Sequence, residues 1–431
     1  MDRQFTNVVE MQEYSCKKFS NLNLFGTKNN GKYEWITYGE FQTAVNYARG
    51  GLKKLGIGKG DRVAIISNNS KEWAISAYAT YSLGGIFVPL YESQQEQEWE
   101  HILKDCEAKV VITSTKKIFN AVMSMKATNK NIQDVFNVET TNAKDNTSFN
   151  FLLELGKLNP AESVIPDTND LMGFIYTSGT TGKPKGVMLS HGNIMSNINC
   201  APLLIDIKEG DCTLSFLPWG HIFGQMVEVH LLIYSGSCTG FAENANTIIE
   251  NLAEIRPTIL FAVPRLFNRI YDGVNAKMKD EGGLPNFLFT QGMKLANKKR
   301  ANKKLSLPEE ILLQLVDKIV FTKIRARFGG RMRFAVSGSA ALSVDVAKFI
   351  DNLNIKVYEG YGLSETSPLI SVNTEKNCKL GSVGKVIPNV RVVIDSSVMS
   401  DKTSENEGEI ICYGQNVMKG YHNQPEETKK L

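Results

Sequence analysis

The sequence predicts an α/β protein: two doubly wound α/β subdomains followed by a small β subdomain. Three observations predict it. Short apolar runs of strand length alternate with helix-like segments over most of the chain. Several of those runs pass directly into glycine-rich loops. After Cys378 the helix signal gives way to short alternating strands and turns.

Taken in order, "RVAIISNNSKEWAISAYATYSLGGIFVPLYE" (62–92) reads as one βαβ unit. Val63–Ile66 is a buried strand, Ser70 caps a helix running to about Leu83, Gly84 stops it, and Ile86–Leu90 is the next strand. The helix-like "EQEWEHILKDC" leads into the strand "AKVVITS". "LMGFIYTSGT" is strand then loop, "SHGNIMSNINCA" a capped helix, and "LLIYSGSCTGFAE" ends on a short strand. "IRPTILFAVPRLFNRIYDGV" reads as strand, proline break and helix, and "MRFAVSGSA" and "IKVYEGYGLSE" as strands entering glycine loops. The predicted division is 1–378 for the two α/β subdomains and 379–431 for the β subdomain.

With 431 residues, 42% of them hydrophobic and 22% charged, the chain has the composition of a globular protein able to bury a large core. A net charge of +4 is small for this size and does not signal nucleic-acid binding. The seven cysteines form no C-x-x-C pair, which argues against a disulfide framework or a zinc knuckle and for reduced thiols in a cytoplasmic setting. The N-terminus lacks a signal-peptide apolar region, and no run of 18 apolar residues appears, so no membrane span is expected. Six basic residues lie between Lys294 and Lys304, which reads first as a solvated helix face and second as a contact with an anionic lipid surface or a phosphorylated ligand.

The loop "YTSGTTGKPKGVMLSH" (176–191) combines small residues, hydroxyls and two lysines. Glycines let backbone N–H groups approach a ligand closely, and neutral donors plus Lys183 and Lys185 suit a phosphate. It is not a Walker A loop, because Gly182-Lys183 is followed by Pro184 and the leading glycine is absent. Taken alone, the loop also fits a Gly/Thr hairpin with no ligand.

Other segments decide between these readings. "YTSGTTGKPKGV" resembles the signature of adenylate-forming enzymes, the superfamily of acyl-CoA synthetases, luciferases and peptide-synthetase adenylation domains. "LPWGHIFG" (217–224), "SGSAAL" (337–342), "YEGYGLSETSP" (358–368), "GSVGKVIP" (381–388) and "GEIICYGQNVMKGYHNQPEET" (408–428) resemble further motifs in the family's order. The resemblance covers nearly the whole chain and implies a β-barrel-like small subdomain, with ATP, Mg²⁺ and coenzyme A as cofactor and co-substrates. It also implies that a carboxylate attacks the α-phosphate of ATP to give an acyl-adenylate, from which a thiol then displaces AMP. Such steps depend on charge stabilisation around phosphorus more than on a protein nucleophile.

Residue by residue, the resemblance implies that Thr177, Ser178, Gly179, Thr180, Thr181, Gly182, Lys183 and Lys185 hold the β- and γ-phosphates. Glu365, with Thr177, would bind Mg²⁺, and Ser364, where the family usually has threonine, would contact the α-phosphate. Gly338, Ser339 and Ala340 would border the nucleotide and acyl sites, and Glu359, Gly360, Tyr361 and Gly362 would form the adenine site. His221 would sit near the substrate carboxylate, with Trp219, Gly338 and Gly362 in the acyl pocket. "LPWGHIFGQMVE" and "ILFAVPRLFNRIYDGV" are most similar to the long-chain fatty acyl-CoA synthetase branch. No acid occurs in "SFLPWGHIFGQM" to hold an amino group, which argues against a peptide-synthetase domain; Glu228 lies further on.

The chain ends at "EETKKL", before the family's Thr-Gly-Asp motif, hinge and C-terminal cap domain with its lysine. The expectation is a fatty-acid- and ATP-binding chain that forms the thioester slowly. A transition-state charge stabiliser is worth about 2.7–4 kcal/mol, and orientation of a second reactant up to about 7–11 kcal/mol. The competing expectations are an adenylating enzyme for another carboxylic acid and a non-catalytic acyl- or nucleotide-binding module. Chain-length preference and oligomeric state are not written in these motifs.

Overall fold

The computed structural model describes residues 3–178, 182–398 and 407–431. The first strands form a hairpin, β1 (Asn23–Asn29) and β2 (Lys32–Thr37), that the alternation of apolar runs does not announce. Its signal is local: Asn30 and Gly31, both with positive φ (49° and 78°), make the two-residue turn of a right-twisted hairpin.

A six-stranded sheet follows, built from β3 (Arg62–Ile66), β4 (Ile86–Leu90), β5 (Val110–Thr113), β6 (Asp134–Asn137), β7 (Leu171–Thr177) and β8 (Lys185–Ser190). Its order is β6-β5-β3-β4-β7-β8, and every pair is parallel except β7–β8. The expected βαβ unit is present: Ser70 accepts from Trp73 N at the start of the helix Lys71–Tyr81, and Gly84 (φ 69°) follows it. That helix buries Trp73 through Tyr81 without interruption. Its apolar face goes all the way round because protein packs on every side of it.

The second half begins with β9 (Cys212–Ser215) and β10 (Cys238–Phe241), which join β1 and β2 in the order β2-β1-β10-β9. β11 (Ile259–Ala262), β12 (Phe334–Ser337), β13 (Lys356–Gly362), β14 (Leu369–Val372) and β15 (Lys385–Val386) form a five-stranded sheet in that order. Thr258 stitches the two together: its N–H donates to Cys212 O (2.9 Å) and its Oγ1 accepts from Cys212 N (3.0 Å). β11–β12–β13 run parallel, whereas β14 and β15 turn back antiparallel. Each half is thus doubly wound in its centre and closed by an antiparallel edge.

Between β11 and β12 the chain makes a long helical excursion: Pro264–Glu281, Gly283–Arg300, Leu307–Val316, the π-helical turn Asp317–Phe321, and Thr322–Ala326. At the end of the chain, β16 (Val390–Asp395) and β17 (Glu409–Gly414) form a separate antiparallel ladder. The start of the 379–431 segment is tied to the sheet before it: Lys379 N donates to Asn373 Oδ1 and β15 pairs with β14. One apolar core unites the halves, with Trp73, Trp219, Phe25 and Phe241 in edge and tilted ring contacts. Among the described residues no helix is long and apolar enough to cross a membrane.

Candidate functional site

A cavity of about 360 Å³ lies where the two halves meet, at the carboxyl ends of β7, β12 and β13. Open α/β sheets bind ligands at that end, because loops leaving adjacent strands diverge there. Thr177 and Ser178 enter from the end of β7, Gly338 and Ser339 from the turn after β12, and Gly360 to Glu365 from β13 and its exit loop. His221 and Phe223 enter from the segment after β9. Apart from Asn197 the remaining wall is apolar: Ala201 and Leu204 from the helix His191–Leu204, Ile205 just after it, Met226, Val227 and Leu231, then Phe261 and Val336.

One glycine is a steric necessity: a Cβ on Gly362 would stand 1.7 Å from Pro368 O, so any side chain there would break the turn that carries Glu365. Gly338 is closely packed, since a Cβ there would meet Phe223 Cζ at 3.0 Å and the ring would have to shift.

Beneath the cavity lies a closed polar network. Glu228, fully buried in the π-helical turn Met226–His230, has Oε2 2.5 Å from Ser215 Oγ and 3.0 Å from Trp219 Nε1. Asn69 Nδ2 donates to Ser215 Oγ (2.8 Å) and Leu217 O (2.7 Å), and its Oδ1 accepts from Trp219 N (2.9 Å). Burial pushes the Glu228 carboxyl up to about 8 despite these donors. The network holds the 215–219 segment, which leads directly to His221. His221 caps the short helix Ile222–Gln225, with Phe223 N donating to Nδ1 (3.2 Å), so the proton of the neutral ring sits on Nε2. Burial lowers its pKa and keeps the ring neutral.

The rim is charged and tied to the end of the chain. Residues 418–422 run beside β8: Met188 N donates to Gly420 O (3.0 Å), Lys419 N to Met188 O (2.9 Å) and His422 N to Gly186 O (2.8 Å). This places Tyr421 OH 2.6 Å from Glu365 Oε1 and Glu427 Oε2 2.5 Å from Lys185 Nζ. The Lys185 ammonium also stands over the Tyr421 ring, 5.3 Å from its centroid. Lys185 and Lys430 hold the Glu427 carboxyl at about 2.

The site therefore gathers Thr177, Ser178, His221, Gly338, Ser339, Gly360, Tyr361, Gly362, Ser364 and Glu365 on one cavity. Gly179, Thr180 and Thr181 lie outside the described residues. Gly182 and Lys183 are exposed on the β7–β8 hairpin. Three of the expected residues do not line the cavity. Trp219 is not in the pocket wall: it is buried in the aromatic core, where its indole N–H satisfies Glu228. Glu359 is buried behind the cavity, accepting from Leu342 N (3.1 Å) and Gly381 N (3.4 Å), and so holds the 338–342 turn. Ala340 points to solvent.

Sequence reasoning missed Glu427, Tyr421 and the apolar wall. The first two are distant in sequence from the groups they touch, and the wall residues read as ordinary core. Glu365 fits a hard cation only as a shared ligand. One of its oxygens is taken by Tyr421, and among the described residues no cluster of three His, Cys, Asp or Glu could hold a metal without other ligands.

Comparison with known proteins adds the family. The model of the AMP-binding enzyme family matches residues 14–422. The chain belongs to that family. Long chain acyl-CoA synthetase 6, peroxisomal, of Arabidopsis thaliana is 31% identical over 440 residues, covering 97% of this chain and 62% of the relative. Fatty acyl-CoA synthetase A of Dictyostelium discoideum is 33% identical, covering 97% of this chain and 64% of the relative. This AMP-binding chain therefore spans less than two thirds of the length of those curated relatives. Among solved structures, the N-terminal domain of FACL13 from Mycobacterium tuberculosis matches with a TM-score of 0.73 at 20% identity, over 98% of this chain and 93% of that one. The anthranilate CoA ligase AuaEII in complex with anthranoyl-AMP matches with a TM-score of 0.74 at 18% identity, over 98% and 72%. At these identities the structures speak for the shared fold.

Proposed function

We propose that this chain is the nucleotide- and acyl-binding core of a long-chain fatty acid–CoA ligase, which activates a fatty acid with ATP and passes it to coenzyme A. The observation that carries the proposal is the composition of one cavity. Its lining joins apolar side chains to His221, the hydroxyl residues Thr177, Ser178 and Ser364, and the carboxylate residue Glu365. A carboxylic acid with an apolar tail and a polyphosphate are the two ligands such a mixed surface suits.

In this reading the β7–β8 hairpin, with Thr177 to Lys183 and Lys185, receives the phosphate tail. Ser364 donates to the α-phosphate. Glu365, together with Thr177, holds Mg²⁺ jointly with the phosphates, and the ion supplies charge neutralisation at the reacting oxygens. Tyr361, flanked by Gly360 and Gly362, packs on adenine, and Gly338 and Ser339 line the boundary between nucleotide and acyl chain. His221 Nε2–H is directed to the substrate carboxylate as a neutral donor. Each buried methylene of the tail adds about 0.8 kcal/mol, so the apolar wall favours long chains. The 379–431 segment is proposed as a subdomain whose 418–428 stretch completes the rim. The same reading puts the protein at lipid surfaces, because its acyl substrate partitions into them.

The test is pyrophosphate release measured with ATP and a panel of acids from short to long, then aryl and amino acids. Release that rises with chain length is expected. Highest turnover on an aryl or amino acid would overturn the acyl assignment, and no nucleotide binding at millimolar ATP would overturn the whole.

A further inference from the structure

The helical excursion between β11 and β12 presents a surface that the cavity does not use. Along the helix Leu307–Val316 and the π turn Asp317–Phe321, Leu307, Ile311, Leu315 and Ile319 are 76%, 67%, 46% and 42% exposed. Four-residue spacing stacks them on one outward face, while Val316, Val320 and Phe321 point into the core. A soluble helix ordinarily puts charge there. Leu284 and Phe287, at the start of the helix Gly283–Arg300, are exposed as well, and Leu284 and Ile319 line one groove of about 340 Å³ with Lys323 and Arg327 on its edge.

The charge around this stripe is basic on balance, although Glu309, Glu310 and Asp317 lie on the stripe's own elements and Glu281 lines the groove beside it. Positions 264–327 carry fourteen Lys and Arg against six Asp and Glu, a net +8, whereas the whole chain nets +4. The rest of the chain is therefore acidic, and the basic excess sits on this excursion. Among the described residues Lys299, Lys303, Lys304, Lys318, Lys323 and Arg327 have no ion-pair partner, while Lys298 is held by Glu309 (2.7 Å). Lys299, Lys303 and Lys304 lie with Leu313 and Gln314 in the groove on one flank of the stripe, and Lys323 and Arg327 line the groove on the other.

We propose that the stripe Leu307–Ile311–Leu315–Ile319 is a membrane-docking face that lies in the interface of an anionic bilayer, its basic flanks meeting the lipid phosphates. This deepens the reading of the protein as a fatty-acid enzyme, but the argument for it uses only exposed apolar area and charge. Apolar side chains on an exposed amphipathic helix enter the headgroup boundary, and cations on the segments beside them gain from anionic lipid. A second protein copy is the competing occupant, and the dimer outcome of the test below separates it from the bilayer.

The experiment is vesicle co-sedimentation of the chain with phosphatidylcholine alone and with about one third phosphatidylserine. Pelleting with the anionic vesicles is expected, and about tenfold less with neutral ones or at high salt. Ile311→Asp with Leu315→Asp, and separately Lys303→Glu with Lys304→Glu, are each expected to cut binding about tenfold with unchanged thermal unfolding. Leu315→Trp should give a blue-shifted emission on anionic vesicles. Absence of pelleting, or pelleting unchanged in both double variants, overturns the proposal. So does a dimer in sedimentation velocity that Ile311→Asp with Leu315→Asp dissociates. Pyrophosphate release on a short, water-soluble acid separates the two readings: it should be unaffected by these variants, and its absence with vesicle binding intact would remove the enzyme assignment and leave the surface.

Discussion

The floor of the cavity and its rim are held by different physics. The floor is Glu228, Ser215 and Trp219, closed off from solvent, with hydrogen bonds among near neighbours in sequence and the half-buried Asn69 as a bridge to the other half. The rim is the buried Lys185 with Glu365, Tyr421 and Glu427, which are partly open to solvent, and its contacts span 242 and 56 residues. A buried neutral network contributes shape and loses much when one member is removed. An open charged rim contributes little to folding, but its charges can be handed to an incoming polyphosphate. The contrast implies that substitutions below the cavity register in stability and those at the rim in ligand handling.

The sharpest test of the floor is Trp219→Ala. Loss of a fully buried indole should cost about 3–5 kcal/mol in denaturant unfolding. A loss below about 1 kcal/mol would remove the distinction drawn here. The matching test of the rim is Glu365→Gln, which should slow acyl-adenylate formation about 10²–10³-fold while leaving the unfolding midpoint near that of the parent. A large stability loss with retained turnover would reverse the two roles.

Glu228→Gln sharpens the comparison through pH. In the native protein Glu228 stays protonated up to about 8, whereas the unfolded chain ionises near the ordinary glutamate value of 4.5. The folded state therefore binds the extra proton between those values. Its contribution is whole below the lower pH and is lost as pH rises toward 8, with a slope of at most about 1.4 kcal/mol per pH unit. Unfolding of Glu228→Gln should lack that component; an unchanged pH profile would place the charged form in the core instead. The smallest effect belongs to Glu427→Gln. Freed of its carboxylate partner, Lys185 should bind ATP a few-fold more tightly at low salt, with the unfolding midpoint unmoved. Weaker ATP binding would mean that Glu427 holds Lys185 in place for the phosphates rather than competing with them.

Local signals were readable. Ser70 before Lys71–Tyr81, the apolar runs of β3, β4 and β5, and the glycine loops after β12 and β13 all lie where near-neighbour chemistry puts them. The Asn30-Gly31 hairpin was readable by the same kind of rule. Trp219 was not: its motif position pointed to the pocket, but an indole facing Glu228, Phe25 and Trp73 is a matter of which half packs on which.

The amino-acid order was sufficient for the α/β class, the chain of family motifs and the polar and glycine positions that face the cavity. These depend on turn chemistry, on periodicity and on closely packed glycines. Only three-dimensional packing decided that Glu427 meets Lys185, that Tyr421 meets Glu365, and that Leu307 to Ile319 face outward. Such pairings and exposures are set by the docking of elements far apart along the chain, and nothing in a local window carries that distance.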